Sequence, residues 1–279
     1  MGSARMSYPL TSWRLVRNPP ANGAWNMAVD EALLESIGRG DSPPILRMYA
    51  WDPPCLSLGF AQSVRDVDLD KLKERGWDLV RRPTGGRAIL HTDELTYAVI
   101  GTQDDSRLSG SVLDSYRRLS LALLAAVHAL GLSARADEIH SRDNQPENPV
   151  CFEVPSNFEI TVGGKKIIGS AQARRQRCIL QHGSVPLRGD LTRITQVLKF
   201  HDGNDRKKIA DRILSRATTL ETALGYPVDW ETASQAMMRG FKTALNLRFI
   251  PAGLSSQEGV RAFELYHSKY RHPDWTFEK

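Results

Sequence analysis

Cysteine is scarce: three residues in 279, Cys55, Cys151 and Cys178. Their spacing offers neither an even disulfide framework nor paired metal ligands, and they read as free thiols in a reducing compartment. Long apolar runs are missing too. The longest, Leu119 to Leu130, is broken by Ser120 and His128. It falls short of the roughly 20 apolar residues a membrane span needs and reads as a buried helix. The N-terminus has no charged-then-apolar signal pattern, so a cytoplasmic protein with no membrane partner is expected. Internal repeats and low-complexity segments are absent. Neither charge sign dominates: 37 basic residues against 32 acidic ones leave a net charge of +5, a mild excess that favours acidic partners. The densest basic cluster, Arg174-Arg175-Gln176-Arg177, has no interleaved aromatics, so nucleic acid is not the expected partner.

What is present has the patterning of a folded domain. A short strand around Trp13 to Val16 leads through Asn22 to Ala24 into a helix, Trp25 to Ile37, with one apolar face and a stop at Gly38. Ile45 to Ala50 and Leu56 to Phe60 read as strands joined by the Pro-rich turn Trp51-Asp52-Pro53-Pro54. Asp66 to Arg75 is a charged surface helix closed by Gly76, and Glu94 to Ile100 a strand. In Ser111 to Leu130, Val112, Tyr116, Leu119, Leu123, Val127 and Leu130 share a helix face, with Ser111 as cap and Gly131 as terminator. Leu132 to Ala136 reads as a strand and Asp137 to Pro149 as a polar loop. Phe158 to Val162, Lys165 to Arg174 and Cys178 to Leu187 read as a hairpin and a third strand, with Gly163-Gly164 at the hairpin turn. Leu191 to Phe200, Lys207 to Arg216, Trp230 to Leu245 and Ser256 to Tyr270 read as helices. Strands gathered first and helices last give an α+β fold with a helical C-terminal region. Residues 10–187 are expected to form the catalytic domain, with 188–279 a helical extension packed on it.

Three stretches concentrate chemistry. In Leu79-Val80-Arg81-Arg82-Pro83-Thr84-Gly85-Gly86-Arg87-Ala88-Ile89-Leu90-His91, a strand pattern breaks at two arginines, a proline and a glycine pair, then resumes. Such a turn is open to two readings. It is either a Gly-Gly hairpin with solvated arginines or an anion-binding nest with Arg81, Arg82 and Arg87 supplying charge for a carboxylate or phosphate. The second stretch is Pro149-Val150-Cys151-Phe152-Glu153-Val154-Pro155, where a polar loop delivers a cysteine to a strand. The third is Gly164-Lys165-Lys166-Ile167-Ile168-Gly169-Ser170-Ala171-Gln172, followed by Gln181-His182-Gly183-Ser184. Cys55 and Cys178 sit in apolar strand patterns and read as small hydrophobes. Cys151 is open to two readings: a packed cysteine with both lysines solvated, or a thiol that the polar loop leaves within reach of substrate and whose pKa a nearby lysine would lower. Strand alternation puts one of Lys165 and Lys166 inward and the other toward water.

Arg81 to Arg87, followed by Leu90-His91 and Glu94-Leu95-Thr96-Tyr97, resembles the signature of the lipoate–protein ligase and octanoyltransferase superfamily, which shares its fold with biotin–protein ligases. Asn26 to Ala32 and Lys166 to Gln172 resemble two further segments of it. Val150 to Ser156 is most similar to the octanoyltransferases of the LipM type. The resemblance runs from about Trp13 to the C-terminus and implies a mixed sheet flanked by helices. It implies transfer of octanoyl from acyl carrier protein to a lysine of a lipoyl-accepting protein, the glycine-cleavage H protein, by a cytoplasmic monomer with no cofactor. The thioester cysteine would fall on Cys151 and the lysine that activates it on Lys166. Arg82, Gly85, Gly86, Arg87 and His91 would wall the acyl and carrier-arm site, and Gly169, Ser170 and Ala171 would line it. Where the family often has His-Asp, this chain has His91-Thr92-Asp93.

The chemistry is consistent with those residues. Thioester-to-amide transfer runs downhill, and a cysteine thioester splits it into two easier steps without ATP. Lys166 would stabilise the thiolate and relay a proton from the acceptor amine. Main-chain amides near Gly169 and Ser170, or near Gly85 and Gly86, are candidate oxyanion donors. The resemblance leaves two alternatives. One is an ATP-dependent lipoate–protein ligase, which would need ATP and Mg and often carries a third glycine where Arg87 stands. The other is an amidotransferase moving octanoyl between lipoyl-accepting proteins. From a different class, a non-catalytic carrier-binding or nucleic-acid-binding module would be expected to have lost Cys151 or Lys166, and both are present.

Overall fold

The computed structural model describes residues 8–138, 158–200 and 202–277. Cys151, its neighbours Pro149 to Ser156, and the Asp137 to Pro149 loop beyond its first two residues lie outside them. Along the chain run β1 (Thr11–Arg17), α1 (Gly23–Gly38), β2 (Ile45–Tyr49), β3 (Cys55–Leu58), α2 (Leu69–Glu74), β4 (Asp78–Arg81), β5 (Ile89–His91), β6 (Glu94–Thr102), α3 (Val112–Ala129) and β7 (Ala134–Glu138). After the gap come β8 (Phe158–Val162), β9 (Lys165–Arg175), β10 (Cys178–Pro186), α4 (Gly203–Arg216), α5 (Leu220–Leu224), α6 (Trp230–Leu245), β11 (Leu247–Pro251), α7 (Ser256–Leu265) and α8 (Pro273–Phe277). Asp137 and Glu138 close β7 rather than opening a loop. No helix among the described residues is long and apolar enough to cross a membrane.

Eight strands form one mixed sheet in the order β11-β1-β2-β6-β10-β9-β8-β7. β11, β1 and β2 run parallel, and every pairing from β2 to β7 is antiparallel. One face carries Met48, Tyr97, Val99 and Ile179 against α3 and α6. The other carries Ile45, Tyr49, Ala98 and Leu180 against α1. The small second sheet, β4-β3-β5, has its own apolar cluster of Leu56, Leu58, Leu72, Ile194 and Ile213. β2 and β3 are therefore not a hairpin, because the Pro-rich connection carries the chain from one sheet to the other.

The α3 helix follows its sequence signals closely. Ser111 caps it in a reciprocal box with Asp114, which satisfies amides that the first turn leaves unpaired. Its buried face is Ser115, Leu119, Ala122, Leu123 and Ala126, while Val112 at the start is exposed. The α1 helix departs from the one-sided pattern. It is buried nearly all round, including Asn26, Asp30 and Glu31, because α7 covers the side away from the sheet. The C-terminal region is not purely helical either. β11 extends the sheet as a parallel partner of β1, and Leu191 to Phe200 forms only a short 3₁₀ turn, Leu191–Gln196.

Polar clamps fasten the C-terminal helices. Arg14 of β1 holds Glu258 of α7 through both guanidinium nitrogens, at 2.7 and 2.6 Å. Glu31 of α1 accepts from Lys269, Tyr270 and Arg175. Burial alone raises the Glu258 pKa, but the Arg14 pair and the Ser255 amide outweigh it and hold the carboxyl down at about 2. A folded pKa below the unfolded value stabilises the fold above about pH 4.5, and that stability drains as pH falls toward 2. Glu258→Gln, which leaves Arg14 half-satisfied, is expected to cost about 2–4 kcal/mol at pH 7. In urea titrations the gap to wild type should narrow below pH 4. A gap unchanged between pH 7 and pH 3 would contradict the assignment.

Candidate active site

The Arg-Pro-Thr-Gly-Gly-Arg stretch is not a hairpin. β4 and β5 flank it but do not pair with each other, since β3 lies between them, parallel to β4 and antiparallel to β5. The loop arches over the end of β3, and Gly59 makes that possible: a Cβ there would collide with the Gly86 carbonyl. Gly86 itself has φ of 94°, the left-handed region that favours glycine. Gly85 and Gly86 are exposed, and Phe60 donates its amide to the Thr84 carbonyl at 2.8 Å.

Arg81 and Arg82 direct their guanidinium groups to oxygens of the protein itself. Arg81 is fully buried, and its three guanidinium nitrogens donate to five main-chain carbonyls, those of Gly59, Phe60, Gln62, Trp275 and Thr276. Arg82 is likewise buried and bonds the Gly85 carbonyl twice, the Arg87 carbonyl, and both the carbonyl and hydroxyl oxygens of Ser57. Both side chains shape the loop from inside. Arg87, half-buried, adds its carbonyl to that set.

Between this loop, α1 and the sheet lies a narrow cavity of about 30 Å³. Arg82, His91, Gly169, Ser170 and Ala171, all picked out in the sequence, line it. So do Met27, Tyr49, Trp51, Ser57, Ile89, Thr96, His182, Gly183 and Ser184. Gly85 and Gly86 stand on the loop above it, outside the lining.

Two hydrogen-bond chains fix the walls. In one, Trp51 donates to Thr96, and Thr96 donates to Glu94. His91 therefore donates to the same carboxyl from Nδ1, and its Nε2 accepts from Ser57, at 2.7 and 2.8 Å. The Trp51 ring stacks on the imidazole at 4.0 Å. In the other chain, Arg47 is completely buried against Asp30 at 2.6 Å. Asp30 also meets Tyr49 and His182 Nδ1, and His182 Nε2 accepts from Thr84 of the loop at 2.7 Å. Burial alone raises the Asp30 pKa, but Arg47 and His182 outweigh it and keep the carboxyl below its ordinary value. Burial pushes the His182 pKa down, so the imidazole is neutral at pH 7. Asp93 sits apart from both chains: it accepts from Arg193 at 2.7 Å and steadies the segment after β10.

Lys166 of β9 is 3% exposed and donates to Glu159 of β8 at 2.6 Å. Lys165, its half-buried neighbour, reaches the Leu214 carbonyl. The Lys166 stem folds over Gly169: a Cβ on that glycine would stand 3.2 Å from Cε and 3.8 Å from Nζ. The ammonium therefore lies beside a residue that lines the cavity. Cys55 and Cys178 are buried in β3 and β10, and burial raises both thiols. Neither is poised as a nucleophile. Single-residue signals for Asp30, Arg47, Glu159 and Ser57 were weak in the sequence. Each is a polar residue at an inward position of an apolar element, and its partners sit on other elements.

A family model described as the lipoyl protein ligase A/B catalytic domain matches residues 22–242. The chain belongs to that family. Among curated relatives, the octanoyltransferase LipM of Symbiobacterium thermophilum is 40% identical, covering 96% of this chain and 99% of its own. The octanoyltransferase LipM of Brevibacillus brevis is 36% identical over 97% of this chain and 100% of its own. Among solved structures, a bipartite lipoate protein ligase from Thermoplasma acidophilum superposes with a TM-score of 0.80 at 29% identity, covering 95% and 96% of the two chains. The mixed sheet flanked by helices is thus the lipoate ligase fold, as the signature residues implied.

The neutral, buried His182 gives this family member a testable acid limit. Its folded pKa lies below 6.5, so the unfolded chain takes up a proton that the folded chain refuses. The stability it contributes is complete above about pH 6.5 and is lost as pH falls below that value. His182→Gln should flatten the decline of the urea midpoint between pH 7.5 and 5. In NMR the His182 ring should titrate below 6.5, and a midpoint at or above that value would overturn the argument.

Proposed function

We propose that this acyltransferase moves an octanoyl group from octanoyl-acyl carrier protein to a lysine of a lipoyl-accepting protein such as the glycine-cleavage H protein, through a thioester on Cys151. The reading rests first on relatives named octanoyltransferase that match the chain along nearly its whole length. The structural observation that carries it is the buried Lys166 ammonium, held by Glu159 beside the Gly169 wall of an apolar cavity. A fixed cation at the edge of a dry pocket favours a thiolate over a thiol. Of the three cysteines, Cys55 and Cys178 are buried with raised pKa values, which leaves Cys151 as the candidate nucleophile.

The reaction is an exchange in two halves. The Cys151 thiolate adds to the donor's thioester carbonyl carbon, a carbon–sulfur bond forms, and the bond to the carrier sulfur breaks. The carrier leaves as a thiolate and takes a proton from the Lys166 ammonium, which becomes a neutral amine. The acceptor's neutral amine then attacks the enzyme thioester, a carbon–nitrogen bond forms, and the bond to Cys151 breaks. The proton lost by the attacking amine passes to Lys166, which re-forms the ammonium beside the departing Cys151 thiolate. The cavity would hold the reacting head of the acyl group between the halves and exclude water that would otherwise hydrolyse the intermediate. No ATP enters this scheme. The basic excess suits acidic carrier domains, and the reading assigns the work to a cytoplasmic monomer.

The likeness to solved lipoate ligases, one of them bound with ATP at 29% identity, favours a second reading: ATP-dependent attachment of free lipoate. Intact-mass analysis separates the two. Octanoyl-acyl carrier protein without ATP is expected to add one octanoyl group to the enzyme, and Cys151→Ala should abolish the adduct. Full activity of Cys151→Ala with ATP and free lipoate would replace the transferase by the ligase. Removing the cation should also slow the thiol. Lys166→Ala is expected to reduce the rate of Cys151 alkylation at pH 7 by about 10-fold or more, the change for a one-unit rise in thiol pKa. Lys166→Arg should retain most of that rate. An unchanged rate in Lys166→Ala would remove the lysine from this role.

A further inference from the structure

Among the described residues, the buried side-chain polar atoms that face the cavity are hydrogen-bonded, with one exception. Tyr49 donates to Asp30, Thr96 to Glu94 and Ser57 to His91, and Ser170 pairs with Tyr97. The hydroxyl of Ser184, on β10, is buried at 1% exposure and has no hydrogen-bond partner among the described residues. A buried, unsatisfied hydroxyl costs about 1–3 kcal/mol, and native folds retain one where something else uses it.

Its position says what that is. Ser184 lies directly opposite Gly169 on β9 and Thr96 on β6, and Thr96 lies opposite Tyr49 on β2. Cross-strand partners project to the same face, so the four residues form one row across the sheet, and all four line the cavity. The Lys166 ammonium folds onto the Gly169 end of that row. The bare glycine leaves the space between cation and hydroxyl unfilled by any side chain of its own.

We infer that the Ser184 hydroxyl donates a hydrogen bond to the carbonyl oxygen of the bound acyl thioester. This rests on the octanoyl-transfer reading. An octanoyl tail carries no group that could pair with a buried hydroxyl, and the carbonyl oxygen at its head can. The donor stands on a central strand of the sheet, beside the cation that would face the attacking sulfur. When sulfur adds to the carbonyl carbon, the π electron pair moves onto oxygen, and the hydrogen bond strengthens as that charge develops. When the second carbon–sulfur bond breaks, the pair returns to re-form the carbonyl. The serine gains and loses no covalent bond. Ser184 is thus a side-chain oxyanion donor distinct from the main-chain amides of the glycine loop, and a catalytic residue of the transfer.

The test uses the full-length enzyme, octanoyl-acyl carrier protein carrying a ¹³C carbonyl, and the variants Ser184→Ala and Ser184→Thr. Ser184→Ala is expected to form the octanoyl-enzyme on the order of 100-fold more slowly, the scale seen when one oxyanion donor is removed. The loss should fall on kcat rather than KM, with the melting temperature unchanged or raised, because the orphaned hydroxyl is gone. Ser184→Thr should restore most of the rate. In isotope-edited infrared spectra, the thioester carbonyl of the wild-type octanoyl-enzyme should absorb at lower wavenumber than that of Ser184→Ala. Wild-type rates and an unshifted carbonyl band in Ser184→Ala would overturn the proposal and leave the hydroxyl to an ordered water. If Ser184→Ala fails to fold, Ser184→Cys, whose thiol fills the site but is only a weak donor, is read by the same rate and band. Absence of any octanoyl adduct on wild type would instead overturn the transfer reading beneath it.

Discussion

A guanidinium and a carboxylate, both removed from water, hold the centre of this molecule together. Arg47 projects from β2 into α1, and Asp30 of α1 meets it at 2.6 Å. Burying either charge alone is prohibitive, and the pair is tolerated because its remaining valences are filled. Asn18 and Asn26 accept from the guanidinium, and Tyr49 and His182 take the carboxylate. Through His182 the network reaches Thr84, so the position of the glycine loop is set by the docking of α1 on the sheet. The cavity lies in the space those two constraints leave. Its shape is consequently a property of the core rather than of a surface loop.

This arrangement changes the meaning of the basic residues in the loop. Clustered arginines next to a glycine pair suggest an anion site, yet Arg81 and Arg82 direct their guanidinium nitrogens inward, to carbonyl and hydroxyl oxygens. They act as five-pronged braces for an irregular backbone whose carbonyls have no strand partner, a use to which the rigid planar fork of arginine is suited. The cation that borders the cavity comes instead from β9, where Glu159 holds Lys166 in place.

Much of this was legible in the sequence, and the reasons for the remainder are physical. Periodicity, a capping serine and a terminating glycine marked α3 almost to the residue, because those signals are local. The hairpin of β8 and β9 was equally plain from its Gly163-Gly164 turn. β11 escaped notice since its exposed, short pattern is extended only by pairing with β1, more than two hundred residues earlier. The separation of β4 from β5 by β3 was hidden for the same reason: a two-glycine turn looks alike whether or not another strand is threaded between its arms. Gly169, Ser170, Ala171, His91 and Arg82, singled out in the sequence, line one cavity. Asp30, Arg47, Glu159 and Ser184 needed the topology, because the importance of each lies in a partner, or the lack of one, on another element.

The braces on Arg81 also order events in time. Two of its five acceptors are the carbonyls of Trp275 and Thr276, 194 and 195 residues further along, and Trp275 returns a hydrogen bond to the Arg81 carbonyl. Contacts of such sequence separation form late, since their loop-closure entropy must be overcome before they stabilise anything. During synthesis the strand that leads into the glycine loop therefore waits for residues almost two hundred positions later. A nascent polypeptide that stops short of Trp275, even with its sheet largely laid down, still lacks the settled loop.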